Sequence, residues 1–457
     1  MRGVVDARVY PCFALNFVKI KWRKTSWANS VARLQARLIS QLHLYQVLHA
    51  VRLAGEPISR AQICESTGLS QGAVSGLTRR LLEDGALVEV GARPSLGGRR
   101  ERELAINADF AWVLGVKASM HQLTMALADF AGGVRHTFTT GLRAPMAPAE
   151  LMAQLASAVD HCLAAAPTPV AGRLAGVGVA LPGFVDSLAD LLWWSPVLDA
   201  GSRPVEGLGA SLSQLLKVPV FIENDANMLA LAQQWFGPAA GVANAAVVTL
   251  EHGVGLGLIV NGELYRGHAG LASELGHLQV VPNGQPCRCG KSGCLEAYVA
   301  HYAVVRQARV AGLLPPPDPA RPGDDIEQAY RQLAAQARAG DPRAREIFER
   351  QGRWLGQWIG NVVNLLSPQT VILGGGGTSA SDLYETALHE AMHDAMALPH
   401  RDRVRLAILP QGDEVWAQGA ASLVLQRLDE SAEILASMSR HGLESEPKGH
   451  AGLRADR

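Results

Sequence analysis

The sequence predicts an α/β protein in two parts: a winged helix-turn-helix over residues 38–110, then a two-lobed α/β body over residues 111–430. Three observations lead there. Two short capped helices joined by a glycine turn precede two strands and a basic loop, all before residue 110. From Ala111 onward, strand-like runs alternate with helical ones, the mark of α/β domains. Two of those strands, "GVGVALPG" and "TVILGGGG", each end in glycine, which suggests a pair of lobes with ligand loops at strand ends.

At 457 residues the chain exceeds one ordinary core, and 48% apolar with 18% charged residues suits a soluble globular protein. No apolar run reaches the roughly 18 residues of a membrane span. Residues 1–37 read as an extension, either disordered or the product of a start codon set too far upstream; their apolar patch lacks a small-residue cleavage site. Six cysteines, three of them clustered, are not a disulfide framework and point to the cytoplasm. Cys12, Cys64 and Cys162 read as small buried hydrophobes. Formal net charge is zero, yet residues 1–110 carry sixteen Lys/Arg against nine Asp/Glu, which hints at a polyanionic partner for the N-terminal part.

In chain order, Leu44, Val47, Leu48 and Val51 form one helical stripe between Leu38 and Ala54, stopped by Gly55 and Pro57. Ser59 and Gln62 form a capping box and Gly68 ends that helix. Ser70 caps the next, "SQGAVSGLTRRLLEDG", in which Ala73, Val74, Leu77 and Leu81 share the core arc. Ser70, Gln71, Gly72, Ser75 and Arg79 are left to reach base edges in a major groove. "ALVEV" and "RELAI" read as strands, and Arg93, Arg99 and Arg100 in the loop between them suit phosphate or minor-groove contact. The alternative is a three-helix module for protein partners.

In the body, "WVLGVKA", "LTMALAD", "LAGVGVAL", "VPVFIE", "AAVVTL", "GLGLIV" and "TVILGGGG" read as strands; "LLPPPDPARPGDD" is a surface loop and residues 431–457 a frayed tail. Trp193 and Trp194 read as packing rather than a sugar stack, and Trp354 and Trp358 as core or subunit interface. His277, Cys287, Cys289 and Cys294 have the spacing of a closed tetrahedral zinc site, structural because no position is left for a water; free thiols or a redox pair are the alternative. A metal on one ring nitrogen of His277 leaves the other for a ligand hydroxyl, and Glu274 and Glu296 can accept from further hydroxyls. Asn224 and Asp225, closing "VFIEND", are either hydroxyl-directed groups or a helix cap.

"IENDAN", "ELGH", "CRCGKSGCLE" and "VALPG" resemble the ROK family of bacterial sugar kinases, repressors and open reading frames, over roughly residues 40–430. The resemblance implies an actin-like, ribonuclease-H-like body of sugar-kinase type. It carries the sugar contacts onto Gly183, Asn224, Asp225, Glu274, His277 and Glu296, and one structural zinc onto His277, Cys287, Cys289 and Cys294. Within the family a leading winged helix marks the transcriptional regulators, so the expected partners are a DNA operator, a sugar or sugar-phosphate effector, and a second copy or three further copies of the chain. Kinase members carry Asp-x-Gly-Gly-Thr on the first strand; here Lys117 takes the acid's place and Ser119, Met120 and His121 replace the rest, so phosphate is poorly cradled. A second departure, "DAGSRPVEGLGASL", leaves the identity of the sugar open. The expected function is a sugar-responsive regulator, a repressor, of carbohydrate genes and not an enzyme. The rival readings are an ATP-dependent sugar kinase that keeps a DNA-binding appendage, and a scaffold for protein partners.

Overall fold

The structure is a computed structural model and describes residues 24–93, 101–167, 170, 173–199, 201, 203–317 and 326–430. The chain opens with α1 (Lys24–Leu53), whose Leu44, Val47, Leu48 and Val51 are all buried. This helix stands, from Lys24 onward, where an extension was expected. From Lys24 the stretch "KTSWANSVARLQARL" holds neither glycine nor proline and is rich in alanine, leucine and arginine, so nothing interrupts the helix on its N-terminal side; residues 1–23 lie outside the described residues.

After α1 come β1 (Ile58–Ser59), α2 (Arg60–Thr67) and α3 (Gln71–Glu83), then the antiparallel pair β2 (Leu87–Arg93) and β3 (Glu101–Ile106), with β1 on the far side of β3. Ser59 caps α2 in a reciprocal box: its Oγ accepts from the Gln62 amide at 3.3 Å and its own amide donates to Gln62 Oε1 at 2.9 Å. Gly68, at φ 69°, closes α2 in a left-handed turn that a side chain would strain. Ser70 Oγ accepts from the Ala73 amide and caps α3. The core arc of α3 is Val74, Thr78 and Leu81, with Ala73 and Leu77 only half-buried. The arc is rotated from the expected one to include Thr78, whose hydroxyl is satisfied by accepting from Arg60 Nε at 2.9 Å.

The first lobe contains β4 (Trp112–Ala118), β5 (Gln122–Asp129), β6 (Val134–Gly141), α4 (Pro148–Ala165), β7 (Leu174–Leu181), the small sheet β8 (Phe184–Asp186), β9 (Leu191–Trp194) and β10 (Val205–Glu206), then α5 (Leu208–Leu216) and β11 (Val220–Asn224). α6 (Asp225–Phe236) leads into the second lobe: β12 (Ala245–Leu250), β13 (Val254–Val260), β14 (Glu263–Leu264), α7 (Glu296–Val299), α8 (His301–Val310), α9 (Ile326–Arg338), α10 (Pro342–Leu366), β15 (Thr370–Gly374), α11 (Glu385–Ala395), β16 (Arg405–Leu409) and α12 (Asp413–Asp429). The two main sheets run β6-β5-β4-β7-β11 and β14-β13-β12-β15-β16, each an antiparallel meander continued by two parallel strands. The lobes are thus the same unit twice. The two strands that the sequence paired by their glycine ends, β7 and β15, hold equivalent places.

The helix that follows each sheet crosses to the other lobe: α6 packs on β12 and β13, α12 on β4, β5 and β7, and the two helices lie against each other. Gly115 and Gly178 permit this contact, since a Cβ at either would stand 1.8 and 2.0 Å from the carbonyl oxygens of Ala417 and Ala420. Among the described residues no helix is long and apolar enough to cross a membrane.

Candidate functional site

A cavity of about 110 Å³ opens between the lobes. Its walls come from strand ends of both sheets: Lys117 to Met120 at the end of β4, Gly183 after β7, Asn224 and Asp225 where β11 meets α6, and Glu251 to Gly255 where β12 turns into β13. Glu274, His277, Arg288 and Glu296 close it from the second lobe, so all six residues expected to contact a sugar line one space.

Each is held by its own local structure. Asn224 is both cap and wall: Oδ1 accepts from the Asn227 amide at 3.3 Å while Nδ2 donates to the Gly183 carbonyl at 2.9 Å. Behind it, buried Glu223 accepts from Arg266 Nε at 2.6 Å, Ser187 Oγ at 3.0 Å and Asn227 Nδ2 at 3.0 Å, tying the first lobe to the second. Gly183 sits at φ 114°, where a Cβ would stand 2.2 Å from the Trp194 carbonyl oxygen. Asp225 accepts from the Ala226 amide at 2.9 Å; burial is the main cause that pushes its carboxyl up to about 6, against the pull of Lys117. Burial, then the charges of Asp225 and Glu296, push Glu274 up to about 7, and no described group donates to its carboxylate. Glu296 opens α7 and accepts from the Val254 amide and the Tyr302 hydroxyl, each at 3.3 Å.

His277, Cys287, Cys289 and Cys294 converge, their donor atoms all within 4.8 Å of one another. Cys287 Sγ is 3.6 Å from His277 Nδ1, and Cys289 and Cys294 sulfurs are 3.8 Å apart. Nδ1 thus belongs to the sulfur cluster, which leaves Nε2 as the ring nitrogen for other partners. One imidazole and three thiols at this separation fit a tetrahedral metal centre without rearrangement of the backbone. Gly293, at φ 81°, lets the loop fold back: a Cβ there would stand 1.7 Å from the Val281 carbonyl oxygen.

The opposite end of the cavity carries a feature that sequence reasoning missed. Lys117, on a strand buried throughout, directs its ammonium to Glu251 at 2.7 Å and Asp413 at 2.8 Å, and over the Trp416 ring at 3.9 Å. Burial disfavours that charge, but the carboxylates of Glu251 and Asp413 outweigh it and hold Lys117 above the ordinary lysine range. Glu251 Oε1 also takes the Gly376 amide of the glycine loop after β15, at 3.3 Å. The cleft therefore satisfies this end with its own side chains. A lysine inside an otherwise apolar strand was the signal available, since a buried ammonium requires partners.

A second correction concerns the paired tryptophans. Trp193 is 48% exposed, and Trp194 lines the cavity instead of packing in a core, because successive side chains on β9 point to opposite faces. Phe184 stands 5.7 Å from Trp194 and 5.3 Å from the His277 ring, extending an aromatic wall.

Far from the cavity, Ser70, Gln71, Gly72, Ser75 and Arg79 are all exposed at the start and outer face of α3. Arg93 ends β2, while Arg99 and Arg100 lie outside the described residues.

Comparison with known proteins agrees with this architecture. The sequence pattern of the ROK family matches residues 113–427. The chain is 31% identical over 391 residues to the DNA-binding transcriptional dual regulator NagC of Escherichia coli (strain K12), covering 85% of this chain and 93% of that one. It is 28% identical over 326 residues to the xylose repressor of Bacillus subtilis (strain 168), covering 70% and 79%. Among solved structures it is similar to a ROK family transcriptional regulator described as a homologue of the E. coli MLC protein, at 25% identity and a TM-score of 0.72, over 89% of this chain and 100% of that one. A ROK family glucokinase from Streptomyces griseus, solved with glucose and AMPPNP, matches at 26% identity and a TM-score of 0.58, over 68% of this chain and 99% of the kinase.

Proposed function

This chain belongs to the ROK family, and from that premise we propose that it is a sugar-responsive, DNA-binding transcriptional repressor and not a kinase. The observation that carries this reading is the filled end of the cleft: Lys117 is paired with both Glu251 and Asp413 where a phosphoryl donor would have to enter. A kinase needs that end open and lined with free amides. Here the Gly376 amide is already taken by Glu251.

The other end is suited to a neutral polyol. Asp225 and Glu274 offer open acceptor oxygens, Asn224 and Glu296 are held in place by the backbone, and Trp194 offers an apolar wall for a ring face. Four protein donors, His277, Cys287, Cys289 and Cys294, would hold one structural zinc, which would stabilise the thiolates and fix the orientation of the His277 ring. His277 Nε2 then donates to a sugar hydroxyl. Ser70, Gln71, Gly72, Ser75 and Arg79 read base edges, and Arg93, Arg99 and Arg100 contact phosphate or the minor groove. A homodimer or homotetramer presents paired readers to a pseudo-palindromic operator.

A sugar changes operator affinity only by its differential affinity for the two protein shapes. The test is operator binding by fluorescence anisotropy with and without a panel of sugars, at several salt concentrations because phosphate contacts dominate. The expected result is tight, salt-dependent binding that at least one sugar weakens at least fivefold. Binding that no sugar alters contradicts the proposal. Cys289→Ser is expected to lose zinc by elemental analysis, together with sugar response and thermal stability.

A further inference from the structure

Two helices leave the cavity and both arrive at the DNA reader. α6 starts with Asp225 in the cavity wall and ends at Trp235 and Phe236. α12 starts with Asp413, the ion-pair partner of Lys117, and ends at Asp429. Both far ends meet α1 through one arginine. Arg52 donates from Nη2 to Asp429 Oδ1 at 2.9 Å and from Nε to Oδ2 at 3.1 Å, and from Nη1 to the Phe130 carbonyl. Its guanidinium lies 4.8 Å from the Phe130 ring and 5.7 Å from the Trp235 ring, and His49, one turn earlier on α1, stands edge-on to Trp235 at 6.0 Å.

Both partners of this pair are buried. A buried ion pair holds two bodies together no better than apolar side chains of similar size. What the two-point guanidinium–carboxylate contact adds is a single geometry. α6 and α12 in turn move as one body, because they touch without slack: a Cβ on Gly419 of α12 would stand 1.9 Å from the Met228 carbonyl oxygen of α6. Packing this close shifts as a unit and does not deform continuously. The 17 residues of α12 span roughly 25 Å at 1.5 Å per residue, which is enough to join the cleft to the reader.

We propose that Arg52 and Asp429 are the positioning pair of the sugar response: they register α1 against the α6–α12 unit, so a change at Asp225 and Lys117 in the cleft is delivered to the reader as a change in the angle of α1. The proposal rests on the sugar-responsive reading above. Neither residue lines the cavity or belongs to the exposed face of α3, so sugar binding and DNA binding each survive without the pair, and only their linkage is lost.

The test is the ratio of operator affinities without and with sugar, measured on the full chain with a duplex enriched by the wild-type protein from a random pool and with whichever of glucose, xylose and N-acetylglucosamine the wild type binds. In the double variant Arg52→Met with Asp429→Leu, apolar packing replaces the pair. Calorimetric sugar affinity and sugar-free operator affinity are expected to stay within about threefold of wild type, while the ratio falls to near one. Arg52→Lys, which keeps the charge but not the two-point contact, is expected to reduce the ratio as well and serves if the double variant does not fold. A wild-type ratio in either folded variant overturns the positioning role. A ratio of one in the wild type itself, with every sugar, overturns the sugar-responsive reading and the pair's role with it.

Discussion

The two ends of one cleft in a duplicated fold differ in what they leave unsatisfied. At the Glu274 end, carboxylates and an imidazole are positioned by backbone contacts and by the sulfur cluster, with acceptor oxygens still open. At the Lys117 end the charged groups are satisfied within the protein: the ammonium is shared by Glu251 and Asp413, and Asp413 also accepts from Gln122 Nε2 at 3.0 Å. One half keeps its capacity for a ligand, and the other has turned a place for transferred charge into an internal tie between lobes.

The largest expected effect comes from breaking that tie. Lys117→Met strands two carboxylates whose side chains are 23% and 16% exposed, so a loss of about 3 kcal/mol is expected, at the lower end for a broken buried pair. Urea denaturation measures it; a loss under about 0.5 kcal/mol means that the three groups are not a unit. At the open end, Asp225→Asn is expected to weaken sugar binding by roughly 10- to 100-fold, the range for a hydrogen bond to a charged group, with little change in stability. Calorimetry distinguishes this from the Lys117 variant, whose sugar affinity changes less than its stability.

Acidity sharpens the contrast next. Glu274 sits near 7 in the folded protein, against 4.5 unfolded, because of burial and then the charges of Asp225 and Glu296, with Lys291 opposing. A group raised by folding contributes stability that is complete below its unfolded value and is lost as pH rises through about 7. Sugar binding through the ionised acceptor is expected to run the other way, falling by up to about tenfold per unit below pH 7, with a further inflection near 6 from Asp225. Glu274→Gln is expected to flatten the upper part of the calorimetric pH profile; an unchanged profile removes Glu274 from the site. The smallest effect belongs to the reader, where Ser70→Ala removes the cap of α3 and is expected to cost about 1 kcal/mol without touching sugar affinity.

What could be read in the sequence was local. The capping box at Ser59, the left-handed Gly68 and the strand runs of β4, β7 and β12 are determined within a few residues, and His277, Cys287, Cys289 and Cys294 lie close enough in the chain for their clustering to be read from spacing. β6 escaped because it lies at a sheet edge and alternates exposed with half-buried residues, with little apolar signal. β16 escaped as a five-residue edge strand. The partners of Lys117 stand 134 and 296 positions away, and Arg52 and Asp429 are 377 apart, so only the folded chain brings them together. The long helix before Leu38 was missed for a different reason: without a cap or breaker, its composition alone did not separate helix from extension.

One titration tests whether this cleft holds a sugar without transferring phosphate to it. Calorimetric titration of the protein with glucose, xylose and N-acetylglucosamine in the presence of Mg²⁺ and ATP records binding and turnover in the same trace. The expected result is a saturable isotherm for at least one sugar that returns to a flat baseline, with no ADP in the cell afterward. Sustained heat flow with accumulating ADP, or no isotherm with any sugar, contradicts it.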